Sequence, residues 1–252
     1  MEVDLRVGCE ISPEFAGAVL QAGRASLWRI HESCCTNDHP SRDYVYYRGM
    51  RLVEEIDVIN SGTAKSQAEV ALQAIRKAIH GVVWPPKTKQ FTIYPESGKK
   101  TGQGNGVGPI KAAFIAQLLK AGWHREFPFP IKGVSGGSQF GAIDASTETN
   151  NGIVAVEWET GNISSSHRSM NKLTLGLRKG GLLAGILIVP TRDLAQYLTD
   201  RIGNVYELRS YVDLWASVKV KNGYLGIFAV EHDKLSLSVP RILKGTDGRA
   251  LL

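Results

Sequence analysis

The chain has 252 residues, 43% of them hydrophobic, with 30 Lys and Arg against 24 Asp and Glu and a net charge of +6 at pH 7. That supports one good core and makes two full domains tight, while the basic balance suits a polyanionic partner without requiring one. The longest apolar run, Leu182 to Pro190, is too short to span a bilayer and reads as a core strand. The chain does not open on a charged segment followed by an apolar one, so a cytoplasmic protein is expected.

Three cysteines, Cys9, Cys34 and Cys35, lie near the start, and an odd count favours reduced thiols over a disulfide framework. His31, Cys34, Cys35 and His39 have spacing too irregular for a clear zinc site, and thiols in a loop before Pro40 are the plainer reading. Strand-like stretches follow around Tyr46 and Val58, closed by Asn60-Ser61-Gly62. Ser66 and Glu69 read as a capping box for a helix bearing Val70, Leu72, Ile75 and Ile79, with Gly81 as its stop. A Trp84-Pro85-Pro86 turn leads to a strand over Phe91 to Tyr94. Gly102, Gly104, Gly106 and Gly108 then suggest a flexible surface loop, or one that orders on DNA phosphates, before a helix from Pro109 to Gly122. Neither the phosphate-loop nor the dinucleotide-binding pattern is present there.

The centre of the chain carries the chemistry. Phe140 to Ile143 leads into Asp144, a polar turn around Glu148 to Gly152 follows, and the β-branched run Ile153 to Val156 precedes Glu157 and Glu159. Strand alternation puts these two glutamates on one face and Trp158 on the other, and hairpin pairing brings Asp144 close to Glu157. Carboxylates so crowded need a cation, a shared proton or open solvent. Without His or Cys among them, hard oxygen donors suit Mg²⁺ rather than zinc. A helix from Asn162 or Ser164 to Lys179, apolar at Ile163, Met170, Leu173 and Leu177, starts beside them and favours an anion at its N-terminus. A strand over Leu183 to Val189, a helix from Thr191 to Tyr197, an Asp200-Arg201 corner, a helix from Val205 to Trp215 and a strand over Tyr224 to Val230 complete the pattern. The fold class is α/β, a mixed central β-sheet with helices on both faces.

The run Glu157-Trp158-Glu159-Thr160-Gly161-Asn162-Ile163-Ser164-Ser165-Ser166-His167-Arg168 and on to Lys172, with Asp144 upstream and Tyr197 to Arg201 downstream, resembles the BamHI-type restriction endonucleases of the PD-(D/E)XK superfamily. The resemblance runs from about Ser66 to about Arg249, including Trp84-Pro85, Phe91 to Ile93, Gly106 to Lys111, Trp123 to Pro128 and Lys244 to Gly248. Residues 1–50 have no counterpart and are set apart as an N-terminal extension, with 51–252 as the catalytic and DNA-binding domain. The resemblance implies a restriction-endonuclease-like fold and a type II enzyme that hydrolyses phosphodiester bonds in double-stranded DNA, using about two Mg²⁺ ions per site. It further implies that Asp144 bridges the ions, Glu157 completes one position with the carbonyl of Trp158, and Glu126 ligates the other. Taken alone, Glu126 reads as a surface salt bridge. Most of the superfamily has Lys where this chain has Glu159, which becomes the implied general base.

Asn162, Ser164, Arg168, Asp200 and Arg201 stand where the family reads bases, Lys111 joins the DNA-contacting set, and the implied target is GGATCC cut after its first G. Gly245 to Arg249 resembles a segment that reaches the minor groove, although this chain stops at Leu252. A palindrome requires a two-fold enzyme, so a homodimer through the helices over Ile163 to Lys179 and Val205 to Trp215 is implied, as is a cognate DNA methyltransferase. The alternative classes are a sequence-specific DNA-binding protein of the same fold with lost cleavage, and a carboxylate-pair hydrolase such as a glycosidase. Loss of cleavage would be expected to remove Asp144 or Glu157, and a glycosidase needs no basic helix beside its carboxylates.

Overall fold

The computed structural model describes residues 49–100, 102–128, 141–199 and 201–244. The His31, Cys34, Cys35 and His39 group, Cys9, Tyr46, Phe140, Asp200 and the Gly245 to Arg249 segment lie outside the described residues.

The apolar run identified in the sequence forms β6 (Ala184–Pro190), every residue of which is buried. Its side chains alternate, with Ile186 and Ile188 in one apolar cluster and Leu187 and Val189 in a second. A strand buried on both sides needs helices on both sides, and continuous hydrophobicity is its signature. β7 (Gly223–Glu231) repeats the pattern, with Tyr224 and Phe228 on one face and Leu225 and Ile227 on the other. It runs parallel to β6, as does β5 (Gly152–Trp158) on the opposite flank. Outside β5, β4 (Ile143–Thr149) and β3 (His124–Phe127) add antiparallel pairs, and β1 (Arg51–Ser61) pairs antiparallel with β7 at the other edge. The sheet order is β1-β7-β6-β5-β4-β3.

One cluster is closed by α2 (Glu69–His80) through Leu72, Ile75 and Ile79, and by α3 (Gly108–Lys120) through Ile110, Phe114 and Leu118. The other is closed by α4 (Ile163–Arg178) through Met170, Leu173 and Leu177, with Leu208 of α6 (Val205–Arg209) and Trp215 of α7 (Val212–Ala216). Short α1 (Ala64–Gln67), α5 (Arg192–Ala195) and a small parallel pair, β2 (Thr92–Ile93) with β8 (Lys234–Leu235), complete the described elements. The mixed sheet with helices on both faces is the expected class. Among the described residues no helix is long and apolar enough to cross a membrane.

Four local expectations are corrected. No capping box forms: Ser66 belongs to α1 and donates to the Thr63 carbonyl at 2.8 Å, while Ala68 caps α2 without a side-chain bond. Val70 is 86% exposed and so lies off the apolar face. The β4–β5 turn is shorter than the polar composition suggests, with strand pairing carried on to Thr149 and Gly152. The helix expected over Val205 to Trp215 is two, each with its own anchor, Leu208 in the core and Trp215 donating from its indole to Asn171 at 2.9 Å.

The glycine-rich segment is a further correction. Asn105 is fully buried, its amide donating to the carbonyls of Tyr94 and Tyr197 at 2.9 and 2.8 Å and its oxygen accepting from Ile242 N at 3.1 Å. Glycine is needed there for close approach rather than freedom: a Cβ on Gly98 would lie 1.6 Å from the Leu198 carbonyl oxygen, and one on Gly104, at φ +79°, 2.4 Å from it. Replacing Asn105 with Ala orphans several buried backbone groups and is expected to cost roughly 2–4 kcal/mol, read by urea unfolding. The Asn105 and Gly106 amides, bonded to the Tyr197 and Ile242 carbonyls, should exchange slowly in the free protein. Fast exchange at both would contradict this packing.

Candidate active site

Ladder register decides which carboxylates meet. Ala145 pairs with Val156 across the β4–β5 hairpin, so the next rung sets Asp144 opposite Glu157. On the other flank Arg125 pairs with Ala145 and Phe127 with Ile143, so Glu126 stands opposite Asp144. Glu126, Asp144 and Glu157 thus form a row across three adjacent strands, whose backbones are spaced by about 4.8 Å in such sheets. Glu126 departs from regular strand geometry at φ +52° and leans into solvent, its side chain 69% exposed and 3.1 Å from the Arg125 guanidinium.

Each carboxylate has its own partner. Asp144 accepts from Trp158 N at 2.8 Å through one oxygen and from the Lys111 ammonium at 2.7 Å through the other. Glu157 is 3% exposed and ion-paired with buried Lys172, whose ammonium also donates to the Ala142 carbonyl at 2.9 Å. Glu159 continues the strand by donating its N–H to the Ile188 carbonyl, and its carboxylate accepts from Ser169 Oγ at 2.8 Å. Ser169 and Lys172 are one turn apart on α4, so Glu157 and Glu159 face the same helix, as strand alternation requires. Among the described residues no three His, Cys, Asp or Glu side chains already converge as a metal cage.

Burial, the negative charge of Asp144 and, more weakly, that of Glu159 push the Glu157 carboxyl up to about 7, against the pull of Lys172. Burial and Asp144 also raise Glu159, while Ser169, Lys111 and Arg168 pull it back. Glu159, unlike the buried Glu157, borders a cavity of about 980 Å³ lined also by Lys111, Arg125, Glu126, Asp144, Asn162 and Arg201.

The residues expected to read DNA divide in space. Asn162 and Arg201 line the large cavity, whereas Ser164 and Arg168 line a neighbouring hollow with His167, Asn171 and Tyr211. Asn162 is also the N-cap of α4, its side-chain oxygen accepting from Ser165 N at 3.1 Å. Lys172 and Ser169 were not singled out by sequence reasoning. The signal was present: a lysine between Met170 and Leu173 on the apolar side of a helix must find a buried anion.

The fold is thus a mixed α/β sheet that carries a row of carboxylates across β3, β4 and β5. A family model described as "Restriction endonuclease BamHI" matches residues 50–249. The type II restriction enzyme OkrAI of Oceanobacter kriegii is 39% identical over 199 residues, covering 79% of this chain and 98% of that one. The type II restriction enzyme BamHI of Bacillus amyloliquefaciens is 37% identical over 183 residues, 71% of this chain and 81% of that one. Restriction endonuclease BglII, in a crystal structure with a DNA 16-mer, overlaps only slightly, with a TM-score of 0.37 and 15% identity over 49% of this chain and 55% of that one. The chain belongs to the BamHI family of type II restriction endonucleases.

A carboxyl raised from 4.5 to about 7 on folding makes the folded state the stronger proton binder between those values. Its stabilising contribution is complete below pH 4.5 and falls as pH rises to 7. In chelator, wild-type protein should therefore lose stability relative to Glu157→Gln across that window, by about 3 kcal/mol at most. A difference between the two proteins that is constant from pH 4.5 to 7 would contradict the burial of an ionisable Glu157.

Proposed function

We propose that this chain is a Mg²⁺-dependent endonuclease that cuts duplex DNA at GGATCC after the first G, acting as a homodimer. The observation that carries this reading is the row Glu126, Asp144 and Glu157 across three strands, of which Glu126 and Asp144 line, with Glu159, a cavity that also holds Asn162 and Arg201. The donor set fits a hard divalent cation. All its atoms are oxygens, and the lysine ammoniums on Asp144 and Glu157 show that both positions attract positive charge. Asp144, Glu157, Glu126 and the carbonyl of Trp158 would hold the metal, which would supply charge neutralisation at the scissile phosphate.

The chain's own residues account for the remaining roles. Glu159 is held by Ser169 and raised by burial, which suits a carboxylate accepting a proton from the attacking water. With the Asn162 oxygen engaged in capping, its amide N–H groups are left to meet acceptors on a purine edge. Arg201 supplies a guanidinium fork suited to guanine, and Ser164, Arg168 and Asp200 complete the proposed reading set. Two-fold symmetry of the target requires a second copy, for which the face bearing exposed Tyr206, Tyr211 and Leu214 beside α4 is the proposed contact. A DNA methyltransferase protecting the same site would be the companion activity. The second reading, a DNA binder without cleavage, is disfavoured by the intact row.

Incubation with Mg²⁺ and DNA carrying one GGATCC, followed by end sequencing, should show cuts after the first G on both strands. Binding without cutting would support the second reading. In Ca²⁺, Arg201→Ala should weaken binding to GGATCC by about 1–3 kcal/mol per half-site while leaving a one-base variant nearly unaffected. Equal weakening on both duplexes would make Arg201 a backbone contact.

A further inference from the structure

The two lysines on the carboxylate row are not equivalent. Lys172 is held on α4 with its side chain 7% exposed, paired to Glu157 and tied to the Ala142 carbonyl, so its ammonium is fixed by a second bond. Lys111 comes from the first turns of α3, its side chain is 40% exposed, and it pairs with Asp144. Lys111 also lines the large cavity, so a short swing of its flexible stem takes the ammonium from Asp144 into open space. The other Asp144 oxygen accepts from Trp158 N, which fixes the carboxylate while Lys111 moves.

We propose that Lys111 is an internal counter-ion that occupies the cation position on Asp144 in the free protein and must leave before a divalent cation binds there. Lys172 stays in place throughout. This rests on the reading of Asp144 as a metal ligand. An ammonium 2.7 Å from a carboxylate oxygen and a divalent cation on that same oxygen would repel strongly at such a distance, so the two states exclude one another. An anionic backbone entering the cavity gives the displaced Lys111 a new partner. DNA therefore releases Asp144, and metal and DNA bind with positive coupling: each raises the affinity for the other by the same factor. Lys111 acts as a positioning residue, delaying assembly of the charged centre until polyanion is present.

The test is calorimetric titration with Ca²⁺ of free dimeric protein and of its complex with a GGATCC duplex, compared among wild type, Lys111→Met and Lys111→Arg. Wild type should bind Ca²⁺ weakly alone and at least about tenfold more tightly with DNA, a factor within the usual range of coupling. Lys111→Met should bind Ca²⁺ about tenfold more tightly than wild type without DNA, and its gain on adding DNA should shrink accordingly. Lys111→Arg keeps the charge and should behave as wild type. Equal Ca²⁺ affinity of free wild type and free Lys111→Met overturns the counter-ion role while leaving the metal site standing. Absence of Ca²⁺ binding by wild type and Lys111→Met, even with DNA, overturns both.

Discussion

The structure depends on a carboxylate driven into its interior. Glu157 sits in β5 at 3% exposure, in a strand whose other flank is the all-buried β6, and no water shell compensates its charge. Burial and neighbouring Asp144 both oppose ionisation, and Lys172 is the nearest counterweight. Such an arrangement costs stability relative to an apolar pair of the same volume. It persists because the sheet imposes it: with Ala145 fixed opposite Val156, Asp144 has no other rung to occupy. The strained charge balance at the end of β4 and β5 is thus a product of register, and the helices around it are arranged to contain it.

That containment is divided between the two faces of the sheet. α4 supplies Lys172 and Ser169 to Glu157 and Glu159, while α3 supplies Lys111 to Asp144. The N-terminus of α4 opens onto the cavity with Asn162 as its cap, so the helix that steadies the carboxylates also presents polar groups to whatever enters. The segment after α5 closes against it: Gly203 N donates to the Gly161 carbonyl at 2.9 Å, and a Cβ at Gly203 would lie 2.9 Å from Ile163 Cα. Arg201, in the left-handed region at φ +61°, is placed at the cavity by that contact. Asp144, Glu159, the Asn162 cap and Arg201 therefore border one cavity.

Much of this was legible in the chain. Apolar runs located β6 and β7, period-two alternation put Glu157 and Glu159 on one face, and the hairpin between Asp144 and Glu157 followed from a polar interval between a short apolar segment and a β-branched run. Three things were not. Glu126 lies on a short exposed edge strand, where composition gives no sign of what it faces. The glycines near Gly104 looked like looseness, because close approach to the Leu198 carbonyl is a property of distant chain segments and leaves only small residues as a trace. Lys111 was placed in the DNA-contacting set by resemblance, but its pairing with Asp144 showed only once the fold brought the two together.

Glu157 and Asp144 form a crowded pair, each held by an internal ammonium group, Lys172 and Lys111. Titration of the Glu157 carboxyl carbon by nuclear magnetic resonance, in chelator and then with saturating Mg²⁺ and a GGATCC duplex bearing uncleavable linkages, tests it directly. The account predicts a midpoint near 7 in chelator and a fall below the ordinary carboxylate value with metal and DNA. A midpoint near 4.5 that metal and DNA leave unchanged would contradict it.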